Sequence, residues 1–519
     1  MMKSILLVIT TLFSLAIQAQ KNPFLDQAFW KENPDVAAIQ SQISKGNSPS
    51  EANAMGFDAV VNAINAKATA ASVKYLLDQK GNDPNKITHD SRTYIFWAAS
   101  RGNVEVMEYL ISKGAKVNLE DSHGSTPLGF AAAGGQTNTR VYDLLINAGA
   151  DVKQLNHDGA NLILLSIAND KDLTLTNYFI SKGLSLKATD AAGNTAFNYA
   201  ARSGNIELLK MLVQKGVKYN GNAMIMATQM GRGGTGNGIE VFQYLESLGI
   251  QPGAVNANGE NALHNIVRRP NQAATIQYFL SKGVDINQPD KEGNTSFMNT
   301  AASNRDTATL ALLLPYVKQI NQANKKGVSS LAMAVRGNSA DVVRLLIRKG
   351  ADLNTRDAEG NNLAYYLVQS YRPQPAGGPG FNEAQRGAGP GADAAQRGEA
   401  GQRGDDFGSK MQLLQDNGYN LTAPQKDGST LYHLAVAKND LMLLRRFEKL
   451  NIDVNSKNEE GLTPLHKAAM IAKDDSILKY LLSLGAKKDA TTEYKETAFD
   501  LARENEFFSK QNISVDFLK

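Results

Sequence analysis

The chain contains no cysteine. That single absence excludes disulfides, cysteine-ligated zinc, iron–sulfur clusters and thiol catalysis together. It also excludes a lipid anchor on a cysteine at a leader cleavage site. An excess of one charge sign is missing as well: 55 Lys and Arg stand against 51 Asp and Glu, a formal net charge of +4 over 519 residues. A dedicated nucleic-acid binder normally carries a concentrated basic excess, so no nucleic-acid partner is expected. Long apolar runs are absent beyond the N-terminus, where residues 5–17 form one that is short for a bilayer span of about 20 residues.

That N-terminus reads MMKSILLVITTLFSLAIQAQ. One lysine, a short apolar stretch and the small Ala19 have the layout of a secretory leader. The expectation is a signal peptide over residues 1–19, no membrane span after cleavage, and an exported chain, periplasmic or secreted. An uncleaved anchor is the alternative.

What the chain has in quantity is glycine, 44 residues of it, at regular places. Length alone predicts three or four domains at about 150 residues each. The glycines argue otherwise. Gly46, Gly81, Gly114, Gly149, Gly183, Gly216, Gly249 and Gly283 each follow an apolar helical phrase, at intervals of 33 to 35 residues. Gly350, Gly418 and Gly485 continue the series. A second ladder runs beside it, from Gly124 and Gly159 to Gly428 and Gly461. Two registers of one period mean a solenoid of repeated units. In residues 190–216, a turn leads into a short apolar helix, Thr195 to Arg202, and Ser203-Gly204-Asn205 breaks it. A second helix, Ile206 to Lys215, sets Leu208, Leu209, Leu212 and Val213 on one face. Helices this short bury their apolar faces only by stacking on the next unit.

The phrases DSHGSTPLGFAAAGG (121–135) and EEGLTPLHKAA (459–469) resemble the first half of the ankyrin repeat, and GNVEVMEYLISKGAKVN (102–118) and SADVVRLLIRKGADLN (339–354) resemble its second half. The resemblance implies an all-α ankyrin-repeat solenoid of about 14 helix-turn-helix units with short β-hairpin fingers. It implies one solenoid over residues 20–519, and suggests an exported bacterial ankyrin-repeat protein. The unit after Gly216 lacks room for a finger. Phe24, Phe29 and Trp30 are the expected N-terminal cap, and a helix from Ala498 to Phe508 the C-terminal one.

Residues 372–408 hold 10 glycines and 4 prolines and almost nothing apolar, so a disordered insertion is expected there. Its three Gln-Arg-Gly triplets admit an RNA or acidic partner, or a solvated loop. Residues 231–236, GRGGTG, match a dinucleotide fingerprint but lack the strand before it that such a site needs.

No catalytic constellation emerges. No cofactor and no metal are expected, because the six histidines are dispersed without metal-ligand spacing. By resemblance, His264, His433 and His466 hold neighbouring units together from the T-P-L-H position. His89, His123 and His157 fall at finger tips. Asp121, Asp190, Asp290 and Asp357 open fingers and can brace the turns. The resemblance places partner binding at finger tips and first-helix ends, where Arg101, Arg202, Arg268, Arg269, Arg336 and Lys438 suggest a basic stripe. Scattered solvated charge is the competing reading, since Asn169, Ser303 and Ser370 occupy equivalent places. The expected function is a non-catalytic protein-interaction scaffold, acting as a monomer on an unidentified protein partner. A secreted effector is the alternative, and an enzyme with an unrecognised site is the third reading.

Overall fold

The computed structural model describes residues 22–229, 236–373 and 406–519. The expected leader (1–19), nearly all of the GRGGTG phrase and residues 374–405 of the expected insertion lie outside the described residues. Among the described residues there are 28 α-helices and no strand. None of these helices is long and apolar enough to cross a membrane.

The helices alternate between a first helix, starting at a Thr, Ser or Asn cap, and a second, longer one. Helix Pro127–Ala133 shows the first kind: the Thr126 side chain accepts from Gly129 N–H, and Pro127 occupies the first turn, where a missing N–H costs nothing. Helix Val104–Ser112 shows the second, capped by Asn103 and burying Val106, Met107 and Leu110. It closes at Gly114, whose N–H donates to Ile111 O while Ala115 N–H donates to Leu110 O, the paired bonds of a left-handed C-cap. In residues 190–216 the helices are Ala196–Ala200, extended by a 3₁₀ turn to Ser203, and Ile206–Gln214. Leu208, Leu209 and Leu212 are buried there, while Val213 is only half-buried at the rim of the face.

The fingers are tight turns rather than extended hairpins. Thr189–Thr195, Ala323–Ser329 and Thr491–Thr497 form isolated antiparallel bridges, and no ladder grows from them. Four residues leave room for one or two cross-bonds, such as Asp290 N to Asn294 O at 2.9 Å. Six fingers also donate one backbone bond to the finger before them. Lys325 N donates to Glu292 O at 2.9 Å, and Ala358 N to Lys326 O at 2.8 Å.

Two further devices join neighbouring units. Asn321 donates through Nδ2 to Gly350 O and accepts from Asp352 N–H, and Asn85, Asn287 and Asn455 repeat the clasp one unit apart from their partners. On the second helices, Tyr178 and Lys182 both grip Asp143 of the preceding unit, at 2.7 Å each. Tyr278 and Lys282 grip Glu246 in the same way.

By its internal contacts the chain divides into two compact units, Met1–Tyr219 and Asn220–Lys519. The division falls at the unit whose finger is truncated: the chain passes from Val217 straight to helix Asn222–Met226. The first unit begins with a cap in which Phe24 and Trp30 are buried, their rings stacked at 6.0 Å with Phe29 edge-on to both. The second ends in two helices rather than the one expected. Asn505 stops Ala498–Glu504, sends its amide to Ala469 O and Ala472 O, and caps Glu506–Lys510.

The helix after the insertion starts at Asp406, earlier than the low-complexity reading of residues 372–408 allows. Phe407 is the reason. It is buried edge-on against Tyr371 at 5.4 Å, so the stack reclaims the last residues of a stretch whose composition alone offers no core.

Candidate functional site

The T-P-L-H histidines are wholly built into the stack. Thr430 N–H donates to His433 Nδ1 at 3.1 Å, so the ring proton sits on Nε2, which donates to Leu462 O in the next unit at 2.9 Å. His466 repeats this with Thr463 and Ala490 O, and His264 with Asn261 and Asn294 O. Burial holds all three below the ordinary histidine range. Neutral rings with both nitrogens engaged have nothing left for a metal or a substrate.

The finger carboxylates also brace structure. Asp190 Oδ1 accepts from Ala192 and Asn194 N–H, and Asp121, Asp290 and Asp357 do the same in their own turns. His89, His123 and His157 stand on three successive fingers. The first two lie 3.3 and 3.4 Å from Asp90, and His157 lies 3.6 Å from Glu120. Sequence reasoning missed Arg92. It is buried, pairs with Asp121 at 2.8 Å and Asp90 at 3.0 Å, and lays its guanidinium 4.2 Å over the Phe130 ring. Residues 88–92, THDSR, place His89 near a tip but lack the finger glycine that sets the register, because Ser91 takes its place at φ 60°. Asp58, fully buried, is held by Lys86 at 2.8 Å and Tyr94 at 2.6 Å. These clusters are paired internally. Among the described residues no group of three His, Asp or Glu is placed to hold a metal ion.

The six candidate cations separate into two kinds. Arg101, exposed, donates from Nε to Asn65 Oδ1. Arg202 is drawn inward over the Tyr199 ring at 4.8 Å, and burial lowers its pKa. Arg268 donates to His264 O in its own helix, and Arg269 reaches back to Thr228 O at 2.6 Å. Of these four, Arg101 and Arg269 bond to the preceding unit, and Arg202 and Arg268 are spent on their own helix. Arg336 and Lys438 differ. Both are exposed, and Lys438, whose pKa is lowered, has Arg372 as a neighbour across Gln369. Burial of its ammonium is the larger cause, and repulsion from Arg372 and Arg336 adds to it. Lys438 donates to Gln369 Oε1 at 2.7 Å, and Arg372 donates to Gln369 O at 3.3 Å.

The sequence model of the family described as "Ankyrin repeats (3 copies)" matches residues 59–156, 136–225, 263–357 and 400–504. Among curated proteins, the chain is 29% identical over 23% of its length to an ankyrin repeat and KH domain-containing protein of Caenorhabditis elegans. It is 30% identical over 32% of its length to a palmitoyltransferase of Lachancea kluyveri, and 30% identical over 25% to the RelA-associated inhibitor of Mus musculus. The matched segments span 5%, 23% and 16% of those proteins, so the chain covers less than a quarter of each.

Proposed function

We propose, from the premise that this chain belongs to the ankyrin-repeat family, that it is a non-catalytic scaffold that binds a protein partner outside the cytoplasm. Ankyrin repeats support a protein–protein interaction scaffold by analogy of fold, and a site must carry the rest. The observation that carries it here is a division of labour along each unit. The three buried histidines and the second-helix tyrosines are consumed in holding units together, and the finger carboxylates in bracing their own turns. The exposed first-helix ends spend less on it: Arg336 bonds to no neighbouring unit among the described residues, and Lys438 gives one hydrogen bond to Gln369 of the unit before it.

A catalytic role has less to rest on. Most residues with shifted pKa values are joined to structural partners, as His433 is to Leu462 O and Asp143 to Tyr178 and Lys182. The palmitoyltransferase relative is matched over 23% of its own length, so its activity does not carry over with the matched segment. Export rests on the leader-like layout of residues 1–20 and is part of the proposal, as is the monomeric state.

Affinity capture with the purified chain, followed by mass spectrometry, tests the scaffold. A protein recovered in stoichiometric amount is the expected result, and recovery of none counts against it. Fractionation tests export: the chain belongs in the osmotic-shock fraction or the medium, and retention with the cytoplasm overturns that part.

A further inference from the structure

The first helices Ser296–Ser303, Ser330–Gly337, Leu363–Ser370 and Leu431–Ala437 pack side by side in consecutive units. Each has a cation in its last turn or within two residues of its end: Arg305, Arg336, Arg372 and Lys438 in turn. A cation at a helix C-terminus is ordinary, since it complements the helix dipole. One per helix satisfies that requirement without the cations meeting. Here they do meet. Gln369 is shared, its side-chain oxygen taking Lys438 and its carbonyl taking Arg372. Beneath them Lys410, nearly fully buried, donates to Val335 O, one residue before Arg336. Burial lowers the pKa of Lys410, and the charges of Arg305 and Arg372 lower it further, against the opposing pull of Asp406.

Among the described residues the nearby acids are occupied. Asp406 pairs with Lys410 at 3.0 Å and accepts from Ala340 N–H, and Asp440 caps its own helix and accepts from Tyr371. Among the described residues no carboxylate pairs with Arg305, Arg336, Arg372 or Lys438. A cluster of like charges that destabilises the free protein is the arrangement expected where an anionic partner completes the site.

Spacing selects the partner. Neighbouring helices pack about 8–10 Å apart, so the helix ends that carry these cations recur at about that interval. A polypeptide in the extended left-handed form rises about 3.1 Å per residue with three residues per turn, so every third side chain recurs on one face at about 9 Å. A single-stranded nucleic acid would want exposed aromatic rings for its bases. Among the described residues, none of the exposed aromatics Tyr219, Tyr316, Tyr494 and Phe507 belongs to these four helices.

We propose that the first-helix ends carrying Arg305, Arg336, Arg372 and Lys438 bind an extended acidic segment of the partner protein, with a carboxylate at every third residue. This rests on the scaffold reading and specifies the partner for it. The probe is a fluorescein-labelled twelve-residue peptide with Glu at every third position among Pro and Ser, read by fluorescence anisotropy against the full chain. Binding should weaken as salt is raised from about 20 to about 200 mM, which shortens the screening length from about 20 to about 7 Å. The double variant Arg336→Glu, Lys438→Glu should bind at least about tenfold more weakly. Arg503→Glu, outside the patch, should bind as the wild type does. Melting curves of the variants that match the wild type exclude misfolding, since both substituted side chains are exposed.

Undiminished binding by the double variant overturns the proposal. So does equal binding of a peptide of the same composition with its glutamates in one block, or tighter binding of a labelled oligothymidylate. The two readings fail separately. A captured protein partner retained equally by the double variant overturns the acidic segment and leaves the scaffold standing. Capture of no partner overturns the scaffold, and the peptide titration still decides the site.

Discussion

At the scale of the residue, the three buried histidines do the most. His433 closes a first turn and reaches the next unit with one ring, so removing it orphans two groups at once. His433→Ala should cost about 1–3 kcal/mol, the usual penalty of leaving buried hydrogen-bonding groups unpaired, and a chemical denaturation curve measures it. A loss below a few tenths of a kcal/mol would show that water replaces the ring. The same residues set a pH dependence. Their folded pKa values lie below the ordinary value of 6.5 because burial disfavours the charged ring. The unfolded chain therefore takes up protons first as pH falls below 6.5. The stability these histidines contribute is fully present above pH 6.5 and is lost as pH falls through the folded values. The melting temperature should decline from about pH 6.5 downward, and His433→Ala should flatten that decline. An unchanged slope in the variant would assign the acid sensitivity to other groups.

At the scale of the element, the finger is held by backbone rather than by side-chain burial. Gly327 shows the two demands on a finger glycine. Its φ is +74°, and a Cβ there would stand 2.6 Å from Ala358 N, the atom that bonds back to the preceding finger. Gly114 shares only the first demand, with φ +85° and open space where a Cβ would go. Gly114→Ala should cost about 1–3 kcal/mol for the left-handed backbone alone. Gly327→Ala should cost more, because neighbouring backbone has to move as well. Thermal melts of the two variants check the order, and equal losses would mean that fingers slide past one another freely.

At the scale of the whole molecule, stability is a sum over neighbours, so damage stays local. His433→Ala should raise amide exchange in residues 430–470 while leaving helices of the unit Met1–Tyr219 protected as before. A uniform rise across the chain would mean that the repeats unfold as one cooperative body.

Much of this was legible in the sequence. The glycine ladders named the period, and Asn, Thr and Ser before each apolar run named the helix starts, because capping and left-handed closure act within a few residues and leave local marks. Other features carried no such mark. Ser91 stands in for a finger glycine, so Arg92 and its pair of carboxylates were hidden. Phe407 looked like a lone aromatic in a glycine-rich stretch, and its burial depends on Tyr371, on the far side of that stretch. Six cations looked equivalent by register. Folding turned Arg202 in upon Tyr199, tied Arg269 to Thr228, and left Arg336 and Lys438 exposed beside Arg372. Sequence by itself determined the repeat, its helices and its caps, since these follow from interactions between residues close along the chain. Only the tertiary structure decided which side chains each unit consumes in gripping the next and which like charges are brought together. Those depend on the direction of a side chain and the distance between units, which periodicity does not encode.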